Sequence, residues 1–287
     1  MSALATAGAT VGGGRRRLAG SRVVTGLCVA IVAVALLAAV LGPLLAPHDP
    51  NAADLNNAFV GPYGDHPLGF DGQGRDLLSR LLDGARSSML GPAIVVAVAM
   101  AAGTLLAVVS AWLGGWVDSA IGAVLDVLFA FPAVLLAILA AAVFGAGLTA
   151  AALALAVAYT PYIARVLRSA ALRERAREYV AALEVQGLPA VAICVRHLLP
   201  NMVGLVAAQA TLLFGYAMVD LAAVSFIGLG VQPPQADWGV MVASGRAGVL
   251  QGYPAEALSA GLCIVLVVVA VNLLGERIAQ RDGGGAR

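Results

Sequence analysis

The fold of this chain is decided by residues 88–113, SMLGPAIVVAVAMAAGTLLAVVSAWL, which hold no charged side chain. A helix rises about 1.5 Å per residue, so about 20 apolar residues cross the hydrocarbon core of a bilayer. This run exceeds that length and predicts a membrane-spanning helix. Five more apolar runs occupy residues 23–45, 121–144, 148–167, 202–229 and 257–274.

The composition points the same way. Hydrophobic residues make up 61% of the 287 positions and charged residues 11%, whereas a typical soluble domain carries about 25% charge. Such a chain is neither a water-facing globule nor intrinsically disordered. Three cysteines without a CxxC pattern exclude a disulfide scaffold, and a net charge of +1 argues against nucleic-acid binding. An integral membrane protein remains.

The apolar runs predict helices, because they are continuous and do not alternate with the period of two that barrel strands require. The first, residues 23–46, follows a group of arginines as in a signal peptide. A cleavable core has only about 7–15 residues, so we predict a retained anchor. The third run contains Asp126 and Pro132, and Pro132 is expected to kink it. Together the runs predict an all-α, polytopic membrane protein with six transmembrane helices.

The arginines predict how the chain sits in the membrane. All 17 basic residues are arginine. If the N-terminus is inside, four of them fall in outer segments and the other thirteen in inner segments, which is the bias expected of cytoplasmic loops. Both termini are therefore predicted to be cytoplasmic. The four outer residues are Arg75, Arg80, Arg86 and Arg246.

The segments between the spans divide the chain further. We predict a disordered cytoplasmic tail at residues 1–22, a five-helix membrane core at residues 88–280, and a cytoplasmic tail at residues 281–287. Residues 47–87 are predicted to form an external loop that ends in a short helix, with leucines on one arc as in helices at a membrane interface. Those leucines are Leu77, Leu78, Leu81 and Leu82.

The cytoplasmic loop, residues 168–201, carries the clearest pattern. Residues 171–187, ALRERAREYVAALEVQG, place apolar side chains at spacings of three and four and predict one helix. Glu174 lies on its polar side, positioned to pair with Arg177. A glycine and a proline stop this helix, and a second short helix, residues 190–198, follows. The pair is either a solvated connection or a docking element for a cytoplasmic partner.

Six short motifs follow one another along the chain: HPLGFDGQGRDLLSRLLDGARSS (66–88), GGWVDS (114–119), DVLFAFP (126–132), REYVAALEVQG (177–187), RHLLPN (196–201) and SFIGLGVQPPQADWGVM (225–241). In sequence and order they resemble the permease subunits of ABC importers, specifically the second permease of the dipeptide/oligopeptide/nickel group. The resemblance extends from about residue 23 to 280.

The cytoplasmic loop is similar to the EAA signature of these permeases. That signature reads Glu-Ala-Ala, three residues, Gly, nine residues, Ile, one residue and Leu-Pro. The matching positions are Ala182, Gly187, Leu199 and Pro200. The differing positions are Ala181, which stands in place of the glutamate, Leu183 and His197.

The resemblance implies the fold of a type I ABC importer permease and a heterodimer with a second permease in the bacterial plasma (inner) membrane. Two cytoplasmic ABC ATPase subunits would close on ATP, and an extracytoplasmic solute-binding protein would deliver the solute. This chain would bind no cofactor, since ATP and Mg belong to the ATPases. The loop would act as a coupling helix, fitting a cleft on one ATPase and levering the spans between two states. The residues implied in coupling are Tyr179, Val180, Ala182, Leu183, Gly187, Leu199 and Pro200.

Two further regions are functional candidates. Asp220 falls inside the fifth span, where a charge is costly, so it either lines the translocation path or makes a hydrogen bond between helices. Asp126, nearer the interface, is expected to have a packing or capping role. The outer segment 232–239 is either a cap on which the binding protein lands or a structural turn. Its docking candidates are Gln232, Pro233, Pro234 and Trp238.

Other functions fit the residues less well. An ion-coupled secondary transporter tends to carry internal repeats, and the halves show no convincing duplication. A membrane-embedded enzyme would need paired carboxylates, HExxH or a nucleophile beside a base, and the predicted spans contain none. His48, His66 and His197 are scattered on opposite sides and suggest no metal site. The prediction is a non-catalytic permease for dipeptides or oligopeptides, with nickel chelates or another small solute as the alternative.

Overall fold

A computed structural model describes the main chain of residues 12–283 and the side chains of residues 22–280. The first helix already begins at Gly12, so the described part of the tail predicted at residues 1–22 is helical instead of disordered. The tail predicted at residues 281–287 is described only in its first three residues, which continue the last helix. The remaining positions of both predicted tails lie outside the described residues.

The described residues are mostly helical and contain no strand, only two isolated β-bridges. The helices are α1 (Gly12–Leu45), α2 (Leu77–Leu113), α3 (Gly115–Phe129), α4 (Ala133–Phe144), α5 (Leu148–Arg175), α6 (Glu178–Val185), α7 (Ala190–Ile193), α8 (Leu199–Asn201), α9 (Val203–Phe226), α10 (Trp238–Leu250) and α11 (Ala255–Gly283). A π-helical turn, Cys194–Leu198, joins α7 to α8, and a short 3-10 helix occupies Leu55–Asn57.

Of the described helices, α1, α2, α5, α9 and α11 are long and apolar enough to cross a bilayer. A sixth crossing is obtained when α3 and α4 are counted as one broken span, bent by 80°. Pro132 stands at the start of α4 with an extended backbone, because proline lacks an amide hydrogen and cannot continue α3. The predicted kink at Pro132 is confirmed.

Small residues allow the spans at the centre of the fold to approach closely. A Cβ added to Gly103 in α2 would lie 2.7 Å from Ile163 Cγ2 in α5. One added to Gly91 would lie 2.8 Å from methyl groups of both Leu148 and Leu221. Close helix contact through glycine is the usual device in membranes, where apolar burial alone does not draw helices together. These contacts make α2, α5 and α9 one packed unit.

The predicted interfacial helix near Leu77 is wrong. Leu77 is instead the first residue of the 37-residue α2, which continues without a break into the second span. Leu77 and Leu81 are buried in a cluster with residues of α1, α10 and α11, whereas Leu78 and Leu82 of the same arc are half-buried. The polar side of the same turns of α2 is buried too, since Arg80 is 1% exposed. Arg80 Nε lies 3.5 Å from Asp71 Oδ2, and Arg75 Nε lies 2.6 Å from the same oxygen.

The single helix predicted over residues 171–187 is also wrong. The chain continues α5 to Arg175, turns at Ala176–Arg177, and starts a separate helix, α6, at Glu178. The turn bends the amphipathic stretch, so its apolar residues do not form one continuous stripe. The second predicted helix, residues 190–198, is confirmed as α7 and the π-helical turn that follows it.

Candidate functional site

The loop between α5 and α9 is a compact helical projection. Its central helix, α6, ends at Val185 and is followed by Gly187, whose φ of +79° is the left-handed conformation that glycine accepts most readily. The amide of Gly187 donates to Glu184 O at 2.9 Å, and that of Leu188 donates to Leu183 O at 3.2 Å. These bonds satisfy the last carbonyls of α6 and fix the sharp turn toward α7.

A buried carboxylate ties this loop together. Glu174, at the end of α5, is 7% exposed. Its Oε1 accepts from the Tyr179 hydroxyl at 2.9 Å and from Asn201 Nδ2 at 3.0 Å, and its Oε2 lies 3.0 Å from Arg177 Nε. The predicted pairing of Glu174 with Arg177 is confirmed, but the predicted solvent-facing position of Glu174 is wrong. We call Glu174, Arg177, Tyr179 and Asn201 the inner joint, after the cytoplasmic side predicted for this loop.

Tyr179 acts in the inner joint as a neutral donor. Burial raises the pKa of its hydroxyl, the hydrogen bond from Asn201 opposes that rise, and the hydrogen bond to the Glu174 carboxylate adds to it. Asn201 Nδ2 also donates to the Tyr179 hydroxyl at 3.1 Å, so the three side chains form a closed ring of hydrogen bonds. Such a ring holds both ends of the loop in one arrangement.

The residues implied in coupling divide between packing and surface. Val180 is 1% exposed and is the buried residue of α6. Tyr179, Leu183 and Leu199 are half-buried, while Ala182, Gly187 and Pro200 are exposed. The outward side of α6 also presents Val185, which is 89% exposed, and Ala181, the position that holds glutamate in the signature. The free surface of α6 is therefore small, and it also carries the exposed carboxylates of Glu178 and Glu184.

Two ion pairs join α3, the first half of the broken span, to the part of α5 that leads into the loop between α5 and α9. Arg168 pairs with Asp118 of α3, and Ser110 of α2 donates to the same carboxylate. Arg165 pairs with Asp126. The side chain of Asp126 is 69% exposed, and its contact is the ion pair that joins α3 to α5, so the packing role expected of it takes the form of a polar contact between helices.

Asp220 lies half-buried in α9 and contacts α5. The Tyr159 hydroxyl donates to its Oδ2 at 2.7 Å. About three turns of α9 closer to its first residue, the Tyr162 hydroxyl donates to Gln209 Oε1 at 3.2 Å. The hydrogen bond between helices that was one of two interpretations of Asp220 is thus present, and a role in the path stays a prediction.

The outer segment between α9 and α10 is only partly available as a surface. Gln232, Pro233 and Pro234 are exposed. Trp238 is 3% exposed, and its indole Nε1 donates to Leu81 O at 3.0 Å. Its candidacy as a docking residue is therefore wrong, because the ring is used to pack α10 against the start of α2.

A second buried carboxylate, Asp237, organises this segment. Its Oδ1 accepts from the amides of Gly239 at 2.9 Å and Val240 at 3.2 Å, which caps α10. Its Oδ2 accepts from the Ser88 hydroxyl at 2.7 Å, and Ser88 Oγ accepts from the Trp238 amide at 2.9 Å. We call Asp237, Ser88 and Trp238 the outer anchor, after the external side predicted for this segment. Burial raises the pKa of Asp237, and the hydrogen bonds it accepts oppose that rise.

The sequence suggests three scattered histidines, whereas the structure brings two of them together. His48 and His66 stack in the outer loop with ring centroids 4.1 Å apart, and His66 Nδ1 lies 2.8 Å from Asp76 Oδ1. Among the described residues, no group of three or more His, Cys, Asp or Glu side chains is arranged to hold a metal ion.

Comparison with known proteins places this arrangement in a family. The sequence profile of the family described as "Binding-protein-dependent transport system inner membrane component" matches residues 99–281. The chain is 39% identical over 248 residues to the probable D,D-dipeptide transport system permease protein DdpC of Escherichia coli, covering 86% of this chain and 83% of that protein. It is 35% identical over 246 residues to the dipeptide transport system permease protein DppC of Alkalihalophilus pseudofirmus, covering 86% and 81%.

One further relative and one solved structure agree with this family assignment. The glutathione transport system permease protein GsiD of Pectobacterium atrosepticum is 36% identical over 233 residues, covering 81% of this chain and 77% of that protein. A chain in a structure of inward-facing conformations of the MetNI methionine ABC transporter shares the fold, with a TM-score of 0.55, 19% identity, and coverage of 72% and 96%. The chain therefore belongs to the family of binding-protein-dependent transport system inner membrane components, the permease subunits of ABC transporters.

Proposed function

We propose that this permease imports peptides across a bacterial inner membrane, forming the translocation path with a second permease and docking its inner loop on one of two cytoplasmic ATPases. The observation that carries the proposal is the exposed side of α6, presented by a helix whose position is fixed by the buried Glu174. A small, stiff projection suits a cleft on a partner that must push the spans. The relatives named as dipeptide, D,D-dipeptide and glutathione permeases support peptides as the solute class.

The distribution of arginine supports the orientation. The inner joint belongs to the loop that its arginines assign to the cytoplasm. The outer anchor lies at the other end of the bundle, toward the start of α2 and the end of α9. We propose that ATP and Mg²⁺ are bound by the ATPases and that this chain has a non-catalytic role. Gln232, Pro233 and Pro234 are the exposed residues proposed to contact the solute-binding protein at the other end.

Asp220 is proposed to line the path. It lies on the same side of α9 as Tyr216, one turn away, which is 55% exposed. A tyrosine and a carboxylate on an uncovered side of a membrane span are costly against lipid. They fit a wet path closed by a second permease, and the bond from Tyr159 would hold the carboxylate there.

The direct test is uptake by the whole complex in proteoliposomes. The chain would be purified with its second permease and ATPases, supplied with the binding protein, and assayed with a radiolabelled dipeptide and ATP. The expected result is uptake that depends on ATP and on this chain. ATP-independent uptake driven by a proton or sodium gradient would contradict the proposal.

Replacing Gly187 in that assay tests the coupling role. Gly187→Val is expected to reduce dipeptide uptake severalfold while ATP is still hydrolysed, because a β-branched residue is strained at positive φ by roughly 1–2 kcal/mol. No atom lies within 4 Å of the added Cβ, so the effect comes from the backbone and not from a clash. Gly187→Asn is the matched control, since asparagine tolerates this conformation and should retain most uptake. Equal uptake per ATP in the wild type and the Val variant would remove the coupling assignment.

A further inference from the structure

The inner joint brings together three separate segments of the chain. Arg177 belongs to the turn after α5, Tyr179 to α6, and Asn201 to the last residue of α8, immediately before α9. All three side chains bind the same carboxylate of Glu174 at 2.9–3.0 Å. Any displacement of α6 relative to α9 must therefore stretch or break a bond to Glu174.

Little else holds α6 in place. Val180 is its buried residue, and the rest of the helix is half-buried or exposed. One buried valine cannot define the rotation of a helix, because apolar contacts are not directional. Hydrogen bonds are directional, so the inner joint determines how α6 is oriented toward α5 and α9.

The two oxygens of Glu174 have separable roles. Oε1 accepts from Tyr179 and Asn201, whereas Oε2 binds Arg177. The Arg177 side chain is 64% exposed, and an exposed ion pair contributes little. The Oε1 side is thus the part that links α6 to α9, and an amide oxygen at the same position could replace it.

We propose that Glu174 is a positioning residue, whose carboxylate passes the movement of α6 to α9 when the ATPases close. This inference rests on the proposed function, since it needs an ATPase that pushes on α6. Glu174 touches neither solute nor nucleotide in this account. It holds α6 in a fixed orientation, so that ATPase closure is converted into movement of α9, the span that carries Asp220.

The test measures dipeptide uptake per ATP hydrolysed by the reconstituted complex, with ATPase co-purification as the check on assembly. Glu174→Ala should lower this ratio on the order of tenfold, as expected for loss of hydrogen bonds to a charged group. Glu174→Gln should retain at least about half of the wild-type ratio, because its amide oxygen still accepts from Tyr179 and Asn201. Glu276→Ala, an exposed glutamate in the last span, is the matched control and should equal the wild type.

A milder variant keeps the test decisive if Glu174→Ala does not assemble. Asn201→Ala removes one donor from an exposed side chain and should lower the ratio about threefold. An unchanged ratio in either variant, or a Gln variant as impaired as the Ala variant, would overturn the inference while uptake by the wild type leaves the proposed function standing. Absence of ATP-driven uptake in the wild type would contradict the proposed function itself.

Discussion

The inner joint and the outer anchor are each built on one buried carboxylate, and they differ in what surrounds it. Glu174 is bound by side chains from three segments, including a cationic arginine. Asp237 is bound by two amides of its own helix and by Ser88 of α2, with no cation among its contacts in the described residues. Side-chain donors can move with their segments, whereas backbone donors are fixed. With the coupling role proposed above, we expect the inner end to transmit movement and the outer end to resist it.

Burial strengthens this contrast. Asp237 is 4% exposed and Trp238 is 3% exposed, and a Cβ at Gly84 in α2 would already lie 3.2 Å from the Asp237 amide nitrogen. The outer anchor is thus a close contact between α10 and α2. Around Glu174, by comparison, Arg177 and Asn201 reach solvent. Both ends use a buried carboxylate, but the outer anchor is closed off from solvent and the inner joint is not.

The largest effect on stability is expected at the outer anchor. Asp237→Ala removes the cap of α10 and leaves the Ser88 hydroxyl without its acceptor, which together should cost about 3 kcal/mol of unfolding free energy. Unfolding of the detergent-solubilised chain measures it. The exposed neighbour Gln235→Ala should change stability by less than about 0.5 kcal/mol. If Asp237→Ala is as stable as Gln235→Ala, or less damaging to stability than Glu174→Ala, the contrast between the two ends fails.

A smaller effect should appear in the pH dependence of stability. A carboxyl whose folded-state pKa is raised binds its proton more tightly when folded, so its contribution is greatest below the unfolded value of 3.8 and is lost as pH rises through the folded-state value. Asp237→Asn removes the titrating group. The melting temperature of the wild type minus that of Asp237→Asn should therefore fall as pH rises from about 4.

The control for this pH series is an exposed aspartate of the outer loop. Asp65→Asn should show no comparable trend, since Asp65 is exposed. A difference for Asp237→Asn that increases with pH would mean that the folded state favours the ionised carboxylate, contrary to the burial-dominated picture of the outer anchor.

The sequence located the spans well because their signal is local. Length and hydrophobicity identify a membrane helix whatever it packs against, and Pro132 marked the break between α3 and α4 for a reason internal to the backbone. The motif-bearing loop after α5 was located in the same way. Gly187 was identified as its turn, and it has the positive φ that such a turn requires.

The errors concern contacts that local patterns do not determine. The leucine arc of residues 77–82 has the same pattern whether lipid headgroups or α10 and α11 cover it. The end of α5 carries neither proline nor glycine, so the turn at Ala176–Arg177 gave no sequence signal. Glu174 was therefore assigned to the solvent-facing side of one continuous helix. Asp237 binds a serine 149 positions away, a distance at which no spacing rule applies.

The central claim is that the inner joint and the outer anchor face opposite compartments, so that each meets a different partner. Single cysteines at Val185 and Gln235, both exposed, can be introduced after Cys28, Cys194 and Cys263 are replaced, and then treated with a membrane-impermeant maleimide. In intact cells with a permeabilised outer layer, Gln235→Cys should be labelled and Val185→Cys protected, and inverted membrane vesicles should reverse the pattern. Labelling of Val185→Cys from the outside, or of both positions from one side, would contradict the account.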